Sequence, residues 1–199
     1  MRLHGADVLV AQGSEAGGHG DKRATLTLVP EVADLIADIR PETLLCAGGG
    51  IGDGRGLAAA LMLGADGVLI GSRLWASTEA NVSEGMHNAA LAATGDDTIR
   101  SQVMDLARKL DWPSRYTARV IKNSYIARWH GREAELMLVA DEEAAKYRAA
   151  WAAGDPEGSN TFVGEVAGLI KTIEPVEAII AKIVAEAEGL LRKAPAFVR

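Results

Sequence analysis

Val8-Leu9-Val10-Ala11 is an uninterrupted apolar run bounded by Asp7 on one side and Gln12-Gly13 on the other. Such a run suits a strand covered on both faces, as in a parallel sheet. Leu44-Leu45-Cys46-Ala47 and Gly67-Val68-Leu69-Ile70-Gly71 repeat the pattern. Between the first two runs, Val32, Leu35, Ile36 and Ile39 recur at helical spacing. Pro30 is expected to open that helix and Pro41 to end it. A second helix is read over Leu57–Leu63, closed by Gly64. Strand, loop, helix, strand, loop, helix, strand is the order of parallel βαβ units, so the expected class is α/β.

After Ser72-Arg73 the pattern changes. Helices are expected within Glu79–Ala93, Asp97–Leu110 and Asp141–Trp151, while Tyr116 to Trp129 mixes basic and apolar residues without a firm period. Gly154-Asp155-Pro156-Glu157-Gly158-Ser159-Asn160 is a cluster of turn formers and reads as a loop. The chain closes with an amphipathic helix carrying Ile173, Val176, Ile179, Ile180, Ile183, Val184, Ala187, Leu190 and Leu191 on one face, with Pro175 near its start. A closed βα barrel needs eight strands and about 250 residues. The three apolar runs therefore imply an open sheet or the carboxyl-terminal part of a longer barrel.

Composition narrows the class further. The 199 residues are 48% hydrophobic and 24% charged, enough for a real core. A net charge of -6 argues against non-specific nucleic-acid binding. The pattern holds no membrane-length apolar stretch and no signal-peptide core after Met1, so no membrane partner and a cytoplasmic location are expected. The single cysteine, Cys46, excludes an internal disulfide and is read as a small buried strand thiol.

The candidate chemistry sits in two glycine blocks, Gln12 to Gly20 and Ala47 to Gly54, each between an apolar run and a helix-like stretch. Loops leaving the carboxyl ends of parallel strands converge on one face. Gly48-Gly49-Gly50 offers bare backbone donors for a phosphate, and the helix that follows adds a positive dipole. Gly71-Ser72 supplies a further amide and a hydroxyl. A tight turn serving packing alone fits the glycine run equally well. His19, flanked by Gly18 and Gly20, can accept a proton near neutrality, or it is a solvent-exposed or capping histidine.

The remaining polar residues read mostly as structural. His4, His87 and His130 are expected to be structural or surface residues. Asp53 is read as a helix cap. Glu15 either orients its loop by accepting backbone hydrogen bonds or is solvated. Trp75, Trp112, Trp129 and Trp151 could wall a pocket, with core packing expected for most. Arg119 and Asn123 are expected to tie a helix back onto the barrel. No metal-ligand spacing is present, so no metal is expected.

Three segments together resemble the nitronate monooxygenases, formerly called 2-nitropropane dioxygenases. They are Ala11-Gln12-Gly13-Ser14-Glu15-Ala16-Gly17-Gly18-His19-Gly20, Ala47-Gly48-Gly49-Gly50-Ile51-Gly52-Asp53-Gly54-Arg55-Gly56 and Leu63-Gly64-Ala65-Asp66-Gly67-Val68-Leu69-Ile70-Gly71-Ser72-Arg73. The stretches around Ala118 to Asn123 and Phe162 to Ile170 are similar too. The resemblance implies a TIM-type (β/α) barrel carrying FMN, of which this chain has only the last three strands plus a helical carboxyl-terminal segment. It implies residues 1–75 as the barrel part, 76–160 as an inserted helical segment and 161–199 as the closing segment and terminal helix.

By motif position, FMN phosphate contacts fall on Gly49, Gly50, Gly71 and Ser72. Gly17 and Gly18 would let flavin and substrate approach, and His19 becomes the preferred catalytic base. Glu165 stands where the family often has glutamine, so no flavin contact is expected there. The implied reaction converts alkyl nitronates and O2 to a carbonyl compound and nitrite. An FMN-dependent enoyl-thioester reductase shares the Glu-Ala-Gly-Gly-His motif. A half-barrel active only with a complementing half, or by self-association, is the third reading.

Overall fold

The computed structural model describes residues 5–197, so His4 lies outside the described residues. The apolar runs become strands β1 (Val8–Gln12), β3 (Leu44–Gly48) and β4 (Gly67–Leu69), parallel and ordered β1-β3-β4. Helices α1 (Thr25–Ile39) and α2 (Gly54–Met62) make the two crossovers, and the short α3 (Ser72–Trp75) follows β4. The register aligns Gln12 with Gly48 and Gly48 with Leu69, so the carboxyl ends of all three strands lie level. That level end is where both glycine blocks leave the sheet.

One face of this sheet is covered, not both. Leu9, Ala11, Leu45, Ala47 and Val68 pack with Val29 and Ile36 of α1 and Ala60 of α2. On the opposite face Val8, Val10, Leu44 and Leu69 are 46–54% exposed. Cys46, expected to be buried, is half-buried on that same open face, opposite Val10. Alternation along a strand forces this split once helices cover a single side.

Pro30 does not open α1; the helix begins at Thr25 and carries the proline inside it. The ring removes the hydrogen bond to the carbonyl of Leu26. Leu26 itself is largely exposed. Ala24 offers no capping side chain, and the carboxylate of Glu15 takes over, accepting from the Thr25 amide at 3.0 and 3.1 Å.

A second, antiparallel sheet was not legible. β2 (Gly18–Gly20), β6 (Thr117–Ile121) and β5 (Thr98–Ser101) pair in the order β2-β6-β5. The helix expected over Asp97–Leu110 is in fact β5 followed by the short α5 (Val103–Arg108). β6 and α6 (Ser124–Trp129) fill the stretch that lacked a period. Ala118, Arg119, Val120 and Ile121 are all buried, and a strand buried on both faces shows no alternation. Residues 76–160, expected to be helical, therefore also contribute strands, alongside α4 (Glu84–Ala92), α7 (Glu133–Leu138) and α8 (Ala140–Ala153).

The terminal helix α9 (Val176–Lys193) begins after Pro175 as its pattern implied. It buries Ile179, Ile183 and Ala187, whereas Ile180, Val184 and Leu190 of the same apolar face are exposed. Its partner is α2, and the approach is close at Gly54. A Cβ there would lie 2.5 Å from the Ala187 nitrogen and 2.7 Å from the Ile183 carbonyl. No helix among the described residues is long and apolar enough to cross a membrane. Gly54→Ala is expected to destabilise the fold by about 1–3 kcal/mol, because backbone rather than a flexible side chain must yield. Urea unfolding checks this, and an unchanged midpoint contradicts the close packing.

Candidate functional site

Gly17, Gly18, Gly49, Gly50, Gly71 and Ser72 all line one cavity of about 280 Å³ at the level strand ends. Gln12, Ile51, Leu69, Trp75, Phe162 and Val166 complete much of its wall. Gly49 and Gly50 have φ of +101° and +73°, a left-handed path that favours glycine strongly. The amides of Gly49, Gly50, Gly71 and Ser72 donate no hydrogen bond among the described residues. Ser72 Oγ accepts from the Gly164 amide at 2.8 Å, leaving its own proton available to a ligand. No charged side chain lines this cavity among the described residues. The donors it offers an anion are therefore uncharged, bare main-chain amides and a hydroxyl among them.

Two loops frame the cavity, and polar contacts lock them together. Glu15 accepts from the amide of Thr25 and, at 2.9 Å, from its hydroxyl. The Gly13 amide donates to the Gly48 carbonyl at 2.8 Å. The Ser14 carbonyl accepts from Arg100 Nη1 at 3.1 Å and from Arg119 Nε at 2.9 Å. Glu15 thus orients its loop, the first of the two roles open to it. Gly17 has a packing reason of its own, since a Cβ there would lie 2.8 Å from the Gly164 nitrogen.

Arg119 also pairs with Glu165 at 2.8 Å. It lies on strand β6, not on a helix, and its ties run to the first glycine loop. Asn123 caps α6 by accepting from the Ile126 amide at 2.8 Å and donates to the carbonyls of Pro156 and Ser159. Burial, followed by the charge of Arg119, lowers the pKa of Arg100 from its usual value.

The helix dipole expected to help hold a phosphate is already occupied. Asp53 caps α2, accepting from the amides of Arg55 at 3.0 Å and Gly56 at 3.2 Å. Glu186 of α9 takes the Gly54 amide at 2.8 Å. Two carboxylates therefore close the first turn of α2, and Asp53 is not among the cavity-lining residues. Burial works against ionisation of Asp53, but the Arg55 side chain and the two amides outweigh it, holding the carboxyl below its usual value.

His19 is not among the residues lining this glycine-edged cavity. It lines a neighbouring cavity of about 480 Å³ that shares Gln12 with the first. Antiparallel pairing with Ala118 fixes its backbone, and Gln12 Nε2 donates to its carbonyl at 2.6 Å. Its Nε2 lies 2.9 and 2.8 Å from the two carboxylate oxygens of Asp105. Trp112 stacks on the imidazole at 3.8 Å with planes 10° apart. Asp105 carried no local signal, because the contact spans 86 residues of sequence; Trp112 was read only as a possible pocket wall.

The other aromatic and histidine readings divide. Of the tryptophans, Trp129 is buried in the core and donates to Glu143 at 3.0 Å. Trp75 walls the first cavity, Trp112 covers His19, and Trp151 is exposed, so core packing is not the rule for them. His87 meets the Trp75 carbonyl at 3.2 Å and His130 meets Ser101 Oγ at 3.0 Å, both structural contacts.

Comparison with known proteins places this geometry in a family. A family model described as nitronate monooxygenase matches residues 1–186. Nitronate monooxygenase npaC of Metarhizium robertsii is 38% identical over 197 residues, covering 93% of this chain and 53% of that protein. The nitronate monooxygenase of Neurospora crassa is 34% identical over 200 residues, covering 97% and 52% respectively. FabK from Thermotoga maritima, a solved structure, aligns with a TM-score of 0.82 at 32% identity, covering 98% of this chain and 58% of that one. The chain thus spans about half the length of the curated relatives it matches. The α/β class read from the strand order holds. With a family model matched over most of its length, this chain belongs to the nitronate monooxygenase family.

Proposed function

We propose that this chain carries the phosphate-gripping and proton-abstracting elements of an FMN-dependent enzyme that oxidises alkyl nitronates with O2 to a carbonyl compound and nitrite. The supporting observation is the convergence of Gly17, Gly18, Gly49, Gly50, Gly71 and Ser72 on one cavity, where the amides of Gly49, Gly50, Gly71 and Ser72 are unspent among the described residues. The donor set suits a phosphate monoester, since it offers amides and a hydroxyl without a competing carboxylate. At Gly71 and Gly18 a Cβ would meet no atom within 4 Å, so open space adjoins the bare backbone.

In this reading Gly49, Gly50 and Gly71 hold the phosphate through their amides and Ser72 through its hydroxyl. Trp75 and Phe162 exclude water from that end. His19 removes the proton from the carbon beside the nitro group and retains it as imidazolium, leaving the nitronate anion. FMN, when bound, supplies the electron acceptor for that anion and its connection to O2. The three parallel strands are then the last three of a TIM-type barrel.

The open face of the β1-β3-β4 sheet favours a second reading, in which the chain acts only once that face is covered. Half-exposed Val8, Val10, Leu44 and Leu69, together with edges on β1 and β4 that are unpaired among the described residues, form a surface that association would bury. A complementing barrel half or a second copy would serve. Size-exclusion chromatography with and without FMN separates the readings: a monomer that binds flavin and turns over alone excludes the second.

Gly71→Val tests the phosphate grip. Its φ is -99°, and a Cβ there meets no atom within 4 Å, so the fold is expected to survive. FMN affinity by flavin fluorescence titration should fall at least about tenfold, a loss near 1.4 kcal/mol. Wild-type chain binding riboflavin as tightly as FMN would remove the phosphate from the site. His19→Asn is expected to lower turnover of a neutral nitroalkane by a factor of about 10² to 10⁴. Preformed nitronate, which has no proton to give, should be affected far less. Consumption of NAD(P)H with an enoyl thioester, and none of nitronate, would instead favour the reductase.

A further inference from the structure

We propose that Asp105 is the positioning residue of His19, holding the proton on Nε2 and leaving Nδ1 as the basic nitrogen. This deepens, and rests on, the reading of His19 as the base. Both carboxylate oxygens of Asp105 lie within 2.9 Å of Nε2. An ionised carboxylate only accepts, so Nε2 must be the protonated nitrogen. Nδ1 makes no hydrogen bond among the described residues. It is the ring atom left to take a proton from substrate.

The arrangement is built rather than incidental. Asp105 is 3% exposed, and a buried carboxylate persists only when its charge is paired. Arg108, one turn later on α5, donates to its Oδ1 at 3.0 Å and neutralises it. The same guanidinium lies 5.2 Å from the centroid of Phe162, a wall of the glycine-lined cavity. Trp112 stacks flat against the imidazole, and the pairing of His19 with Ala118 holds its backbone. Ring, backbone and proton position are therefore set before any ligand arrives.

The charges around the ring make the effect separable. α5 contributes Asp105 and Arg108. Following β2, Asp21 is paired with Arg115 from the loop before β6. Arg100 of β5 and Arg119 of β6 donate to backbone carbonyls, at Gly20 and Ser14 respectively. Asp111 flanks Trp112 in sequence. Asp105 alone among these carboxylates is in contact with the imidazole. Removing it should therefore weaken the imidazolium, and removing Arg108 should strengthen it.

The test is ¹⁵N NMR of the His19 ring nitrogens in the full chain, without flavin or substrate, across a pH titration. The neutral ring is expected to carry its proton on Nε2. Asp105→Asn, nearly isosteric, should lower the His19 midpoint by about one pH unit, a tenfold loss of proton affinity. Arg108→Met should move the midpoint upward, and Asp105→Glu should recover part of the loss. A wild-type ring protonated on Nδ1, or a midpoint unmoved in both Asp105→Asn and Arg108→Met, overturns the proposal. Should Asp105→Asn fail to fold, the wild-type tautomer and the Arg108→Met shift still decide it. Full turnover by His19→Asn alongside the expected titration overturns the base reading alone and supports the pairing.

Discussion

The site depends on one carboxylate. Glu15 accepts from both the amide and the hydroxyl of Thr25, and so joins the first glycine loop to the start of α1. A segment reading Gly-Ser-Glu-Ala-Gly-Gly-His-Gly has a large conformational entropy to lose. Without such ties it would not hold one shape. Two guanidiniums on the Ser14 carbonyl and the Gly13 amide on Gly48 complete the lock. The same contacts bring the second glycine loop into register with the first. A cavity edged by bare backbone persists because its neighbours are rigid.

The ties also explain how distant parts of the chain serve one site. Arg100 and Arg119 come from the antiparallel sheet, and Glu165 from the closing segment. Each reaches the loop that carries His19. Burying guanidiniums against carbonyls is expensive unless most donors are satisfied, and here each has several partners. The second sheet therefore acts as a clamp on the first sheet's loops. It also presents α5, whose Asp105 meets the imidazole.

Division of labour at the helix ends follows from electrostatics. The amino terminus of α2 is filled by Asp53 and Glu186, which suits a positive dipole end but withdraws it from ligand binding. In the proposed function, anion recognition falls to the preceding loop, where the amides of Gly49 and Gly50 have no partner among the described residues. Glu186 belongs to α9, so docking of the terminal helix both covers α2 and closes that position. The close approach at Gly54 is the steric condition for this arrangement.

Short-range pattern determined the three parallel strands, the two crossovers, the cap at Asp53 and the candidates at both glycine loops. Each is encoded by neighbours within a few residues: apolar runs, turn glycines and capping side chains. Tertiary structure decided the rest. β6 lost its alternation because burial on both faces erases it, and α1 extended through Pro30 because a carboxylate ten residues upstream caps its start. The partner of His19 lies 86 residues away on a helix with nothing in its composition to mark it. Sequence by itself named the imidazole and the glycines, since their chemistry is intrinsic. Which nitrogen is free, which amides are unspent and which face of the sheet stays bare are properties of what lies alongside, and only the packed chain sets them.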